Sequence, residues 1–110
     1  MPASATNDTE LELMRLLEAQ TEVTQREVAS SLGMSLGKAN YLIRALVEKG
    51  FVKAENYRNS GNKLAYLYLL TPSGISAKAE LTKSFLARKI REHEELLQEI
   101  ERLKKESGQA

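Results

Sequence analysis

Near the middle of the chain, Ser35, Lys38, Asn40, Tyr41 and Arg44 recur on one side of a segment whose other side carries Ala39, Ile43 and Leu46, with Leu42 at the border. That spacing predicts a helix with an apolar inner face and a polar, cationic outer face. The outer residue types suit recognition rather than bond breaking. The Asn40 amide can donate and accept toward an adenine edge, and Lys38 and Arg44 can reach guanine edges or phosphates. Tyr41 offers a hydroxyl and a flat ring, and Leu36 can touch a thymine methyl. Gly37 leaves the backbone open to close approach. Thr24 and Gln25 open the preceding helix, whose N-terminus attracts a phosphate. Arg58, Asn59 and Lys63 fall in a polar loop suited to a nucleic-acid backbone or a narrow minor groove. Each has a plainer reading: Lys38 and Arg44 as solvated helix charges, Tyr41 packed on a neighbouring helix, Arg58 keeping a hairpin soluble.

The charge distribution favours the first reading. The net charge is +1 over 110 residues. Residues 24–63 hold Arg26, Lys38, Arg44, Lys49, Lys53, Arg58 and Lys63 against Glu27, Glu48 and Glu55, a net +4, whereas residues 1–23 carry a net −4. A polyanion would meet the middle third.

Other chemistries lack their residues. His93 is the one histidine and there is no cysteine. A metal site is therefore not expected, and His93 reads as a packed or half-exposed side chain rather than a ligand or pH switch. No Ser or carboxylate constellation has catalytic spacing and no Gly-rich phosphate loop follows a strand, so neither an enzyme nor a cofactor is expected. The cysteine-free composition suits a reducing cytoplasm. Met1-Pro2-Ala3-Ser4 does not read as a signal peptide, and no apolar run approaches the ~20 residues of a membrane span.

The positioning elements follow from local signals. Residues 1–6 have little to bury and are expected to be loose. A first helix is expected to start at Asn7 to Thr9, with Thr9 and Glu12 as a capping box and Leu13, Met14, Leu16 and Leu17 inward. Thr24-Gln25-Arg26-Glu27 is a second capping box, followed by Val28, Ala29 and Leu32 and a stop at Gly33. Ser35 caps the next helix and Gly50 ends it. Residues 51–55 and 64–70 read as strands joined by a polar tip over 56–63, a hairpin. Thr71-Pro72 then starts another helix.

No Gly or Pro interrupts residues 75–107. One helix there would be about 50 Å long. Its apolar positions include Phe85, Leu86, Ile90, Leu96, Leu97, Ile100 and Leu103, and the series 86, 90, 93, 97, 100 alternates steps of four and three as in a coiled-coil seam. Two readings stand: the stripe, His93 included, covers a second chain, or the helix folds back on Leu11 to Leu17.

From Val23 to Gly74 the chain resembles the MarR (multiple antibiotic resistance regulator) family of winged helix-turn-helix proteins. The resemblance rests on Thr24-Gln25-Arg26-Glu27-Val28-Ala29, Leu32-Gly33-Met34-Ser35, Leu46-Val47-Glu48-Lys49-Gly50-Phe51-Val52 and Leu70-Thr71-Pro72-Ser73-Gly74. Ser35 to Tyr41 and Asn62 to Pro72 look like a compact subgroup linked to exopolysaccharide (EPS) gene clusters. Typical members carry an Asp-Arg pair at the wing tip, where Asn62-Lys63 stands here. They are also longer at the N-terminus, in a helix that helps build a dimer interface and effector pocket. A family-style small-molecule effector is therefore not expected, and dimerisation would fall on Pro72 to Lys105.

The combined expectation is a mainly α (α+β winged helix) fold. Residues 7–71 form a winged helix-turn-helix DNA-binding domain, 72–106 a C-terminal dimerisation helix, and 107–110 a disordered tail. Its function would be sequence-specific regulation of transcription by a homodimer on double-stranded DNA, with helix 35–49 in the major groove and wing 56–63 on the backbone or minor groove. The resemblance adds a link to polysaccharide genes. The competing reading is a winged-helix module that docks a different protein through the C-terminal helix.

Overall fold

The structure, a computed structural model, describes residues 2–58 and 64–108, with side chains for 7–56 and 66–108. Four helices and three strands follow the order α1 (Pro2–Ala19), β1 (Glu22–Val23), α2 (Gln25–Leu32), α3 (Leu36–Glu48), β2 (Val52–Arg58), β3 (Leu64–Leu70) and α4 (Pro72–Glu106). The expected mainly helical winged-helix architecture is what the chain adopts.

Helix α1 begins at Pro2 rather than at Asn7 to Thr9, so residues 2–6 are helical where the sequence predicts a loose end. Proline suits a first helical turn because its φ is preset and its missing N–H has no helical partner to lose. Ala3 and Ala5 then favour the helix intrinsically. Thr9 consequently lies inside α1 and does not cap it. Leu13, Met14 and Leu17 of α1 are buried in one cluster with Val28 and Ala29 of α2 and Ala39, Ile43 and Leu46 of α3, and Leu11 is buried as well. Leu42 is also buried, one step further inward than the border position expected of it, because β2 and β3 cover that side of α3 with Val52 and Tyr68.

The helix ends are held as the local sequence dictates. Thr24 Oγ1 accepts from the Glu27 amide at 3.0 Å and Glu27 Oε1 accepts from the Thr24 amide at 2.7 Å, a complete capping box. Gly33 closes α2 at φ 64°, a conformation that side chains strain to adopt. Ser35 Oγ accepts from the Lys38 amide at 3.1 Å to open α3. Lys49 caps the other end of α3, and its ammonium lies 2.8 Å from the nearly buried Glu10 carboxylate of α1. One ion pair thus ties the end of α3 back to the first helix.

The sheet is antiparallel with order β1-β3-β2. β1 is absent from the sequence reading because two residues carry no detectable alternation; Val23 pairs with Tyr66 and Glu22 with Leu67. β2 continues to Arg58, beyond the expected residue 55, since the register carries on through Asn56 opposite Tyr66 and Arg58 opposite Leu64.

The start of α4 is clamped to the α3–β2 turn. Thr71 Oγ1 donates to the Gly50 carbonyl at 2.5 Å and also accepts from the Gly74 amide at 3.0 Å. Ser73 Oγ donates to the same Gly50 carbonyl at 3.0 Å, and the Thr71 amide donates to the Phe51 carbonyl. Ala77 and Leu81 then pack on the core. Phe85 is half-buried, with the cations of Arg15, Arg88 and Lys89 within 5.9 Å, 5.1 Å and 5.2 Å of its ring centre. Arg88 Nη2 holds both oxygens of Asp8, at 2.7 and 2.8 Å, and Lys78 pairs with Glu18. The fold-back reading of this helix therefore holds for its first part, which packs on α1, while every residue from Lys89 to Gly108 is exposed. That free part extends about 27 Å at the helical rise, and the molecule measures 67 × 27 × 23 Å.

Candidate nucleic-acid interface

The outward side of α3 is free in the way base or phosphate contact requires. Leu36, Gly37, Lys38, Tyr41 and Arg44 are exposed. Tyr41 is 71% exposed and does not pack on another helix. Among the described residues, neither Lys38 nor Arg44 has an ion-pair partner. A cation without a local carboxylate keeps its charge available to an incoming anion. Apart from its own chain neighbours and helix backbone, Gly37 has no heavy atom within 4 Å of where a Cβ would stand, so its surroundings are open.

The cap residues retain part of their hydrogen-bonding capacity. Ser35 and Thr24 use their hydroxyl oxygens as acceptors, which leaves each hydroxyl proton able to donate to a phosphate. At α2, however, the Glu27 carboxylate already occupies the N-terminus and competes there with any phosphate. The capping box and phosphate attraction, both legible in the sequence, thus oppose one another at this end.

Asn40 and Gln25 differ from the expected pair of independent contacts. Asn40 Nδ2 donates to Gln25 Oε1 at 3.0 Å, and both side chains are half-buried. Gln25 also hydrogen-bonds the side chain of Tyr68 on β3, which is 2% exposed. Burial pushes the Tyr68 phenol above its ordinary value; the Gln25 hydrogen bond acts the other way, and Tyr66 adds to the rise. Gln25 therefore joins α2, α3 and the wing sheet. The link is tertiary, between residues fifteen positions apart, and no local pattern announces it.

A hollow of about 410 Å³ opens between α3 and the wing sheet, lined by Asn40, Arg44, Val47 and Glu48 on one side and Ala54, Tyr66 and Tyr68 on the other. Tyr66 and Tyr68 share one face of β3, with ring centres 5.8 Å apart. Their i, i+2 spacing is the signal that would have marked them in the sequence. Arg44 stands at the mouth of this hollow and of a second one, lined by Asn40, Tyr41, Ala45 and Glu48. Glu48 is the unexpected member, a carboxylate one turn beyond Arg44. It marks the C-terminal part of α3 as less welcoming to phosphate than the N-terminal part.

Arg58 ends β2, and only its backbone is described; Asn59 and Lys63 lie outside the described residues. On α4, Leu86, Ile90, Leu96, Leu97, Ile100 and Leu103 are between 39 and 58% exposed, and His93 is exposed. Phe85 departs from that group because it packs within its own chain. Among the described residues no cluster of three His, Cys, Asp or Glu side chains is arranged to hold a metal ion. Among them, too, no helix is long and apolar enough to cross a membrane.

Known proteins resemble this arrangement. Similar solved structures include a PadR-like transcriptional regulator from Bacillus cereus, 17% identical with a TM-score of 0.70, covering 79% of this chain and 89% of that one. A mutant of MepR from S. aureus is 21% identical with a TM-score of 0.60, covering 91% and 77%. The zinc-responsive MarR family member ZitR from Lactococcus lactis is 19% identical with a TM-score of 0.59, covering 80% of this chain but 58% of its own. No curated protein sequence matches the chain. Residues 6–53, which run from α1 into the start of β2, match the winged helix-turn-helix DNA-binding family, and the chain has the winged-helix fold of the transcriptional regulators it resembles.

Proposed function

We propose that the protein is a sequence-specific, double-stranded-DNA-binding transcriptional regulator of the MarR type, acting as a cytoplasmic homodimer. The observation that carries this reading is the exposed Lys38, Tyr41 and Arg44 face of a doubly anchored α3. Its N-terminal residues would meet base edges in the major groove, and the β2–β3 hairpin would flank the adjacent backbone or minor groove. The free half of α4 supplies the surface for a second protomer. Pairing through Leu86, Ile90, Leu97 and Ile100, with His93 in the seam and Leu96 and Leu103 beside it, would set two copies of α3 toward half-sites about one DNA turn apart. Polysaccharide genes are the targets suggested by the subgroup resemblance.

Electrophoretic mobility shift on genomic fragments, including the promoter near the protein's own gene, tests the reading. A shift that weakens steeply with added salt is expected, since each displaced phosphate counterion contributes to the slope. Absence of any shift at low salt would overturn it.

The exposed α4 stripe also suits a module that docks a different protein. Sedimentation equilibrium separates the two: a stable homodimer supports the regulator, and a monomer at all concentrations favours the docking module.

A further inference from the structure

Asn40 is the one side chain of the candidate reading face whose amide is held by its own protein. Its Nδ2 donates to Gln25 Oε1 at 3.0 Å, in a part-buried site. Gln25 is in turn hydrogen-bonded to Tyr68, buried on β3. Asn40 also lines both hollows that meet at Arg44. It is therefore held on one side and open on the other.

An amide has two faces of opposite character. With one Nδ2 proton given to Gln25, the Oδ1 acceptor and the second Nδ2 proton remain for a ligand. Turned over, Asn40 would set its oxygen against the Gln25 oxygen and leave two donors outward. The first state presents the adjacent acceptor and donor that match N6 and N7 of adenine; the second matches the paired acceptors of guanine.

We infer that Gln25 is a positioning residue that fixes the Asn40 amide in its adenine-reading orientation and thereby sets base preference without touching the base. The inference deepens the DNA-binding reading and rests on it for the base-preference part. Because Gln25 also bonds to β3, the same contact makes the orientation of Asn40 depend on the seating of the wing sheet against α3.

The test pairs operator selection from a random DNA library with side-chain amide NMR of the free, full-length protein. The variants are Gln25→Met, Gln25→Glu and Asn40→Ala. Gln25→Met keeps length and loses the acceptor. Gln25→Glu keeps the acceptor and, being unable to donate, admits only the orientation with Asn40 Nδ2 toward it.

In the free wild-type protein, the Asn40 amide protons are expected to be dispersed and motionally restricted; in Gln25→Met they become averaged and mobile, and in Gln25→Glu they stay restricted. A mobile Asn40 amide in the wild type would overturn the inference whatever happens with DNA.

On DNA, Gln25→Met is expected to lose the adenine preference at one position per half-site, by about tenfold or more, to the same extent as Asn40→Ala. Gln25→Glu keeps the preference at lower overall affinity, a rescue that a purely structural role would not produce. If Asn40→Ala loses the preference and Gln25→Met keeps it, the positioning role is wrong while DNA reading stands. If no variant changes any base preference, the assignment of Asn40 as a reader fails as well, and the NMR result alone reports on the Gln25 contact.

Discussion

A Cβ on Gly74 would overlap the carbonyl oxygen of Phe51 and stand 2.9 Å from its carbonyl carbon. This contact explains physically why a glycine closes the Leu70-Thr71-Pro72-Ser73-Gly74 run. The first turn of α4 lies directly on the backbone that leaves α3, and the obstructing atoms are main chain, unable to rotate away. Gly74→Ala is expected to destabilise the fold by about 3 kcal/mol, at the upper end of overpacking costs, measured by urea denaturation. An unchanged midpoint would show that α4 can lift off without cost.

The α2 capping box offers a milder test. Thr24→Ala removes the acceptor for the Glu27 amide and is expected to cost about 1 kcal/mol. Glu27→Gln keeps an acceptor while removing the charge that competes with phosphate at α2. It should therefore leave thermal stability nearly unchanged and tighten DNA binding in mobility-shift titrations. Weaker binding by Glu27→Gln would contradict the competition described above.

Arg44→Ala and Lys38→Ala should each weaken DNA binding, with the log–log salt slope falling by about one unit if the lost contact is to phosphate. A contact to a base instead leaves most of the slope in place and relaxes preference at one position. Titrations at several salt concentrations distinguish these outcomes residue by residue.

Tyr68 makes a prediction about alkaline stability. Burial raises its phenol above the ordinary value, so the folded state holds the proton after the unfolded chain has released it. The stabilisation from this group is fully present below the unfolded value, near pH 10, and is lost as the pH climbs through the folded value. Thermal melts from pH 9 upward should therefore fall more steeply for the wild type than for Tyr68→Phe. Parallel curves would mean that the phenol does not titrate with unfolding.

The features legible in the sequence were those made by neighbours along the chain. Thr24 with Glu27, Ser35 with Lys38 and Thr71 with Gly74 are all three residues apart, so residue type alone locates α2, α3 and α4. What escaped detection depends on distant parts of the chain meeting. β1 exists because Val23 finds Tyr66, and Gln25 meets Asn40 only after α2 and α3 have packed. In α4 the apolar periodicity runs unbroken through Phe85 and Leu86, although Phe85 belongs to the contact with α1 and Leu86 to the exposed stripe. Pattern gives the face of a helix and is silent about what covers it.

Helix α4 runs without a break from the Gly50 and Phe51 clamp to Glu106, so in the proposed dimer it would act as a torsion rod between the reading head and the stripe. Each added residue turns everything beyond it by about 100°. A single alanine inserted after Arg88 should thus leave each head folded and each stripe intact while misaligning the twin heads on their operator. Seven inserted residues, close to two full turns, should restore the angle and lengthen the span by about 10 Å. In the proposed dimer, spacing between half-sites would be set by the length of one helix, and operators of altered spacing would be matched by changing that length alone.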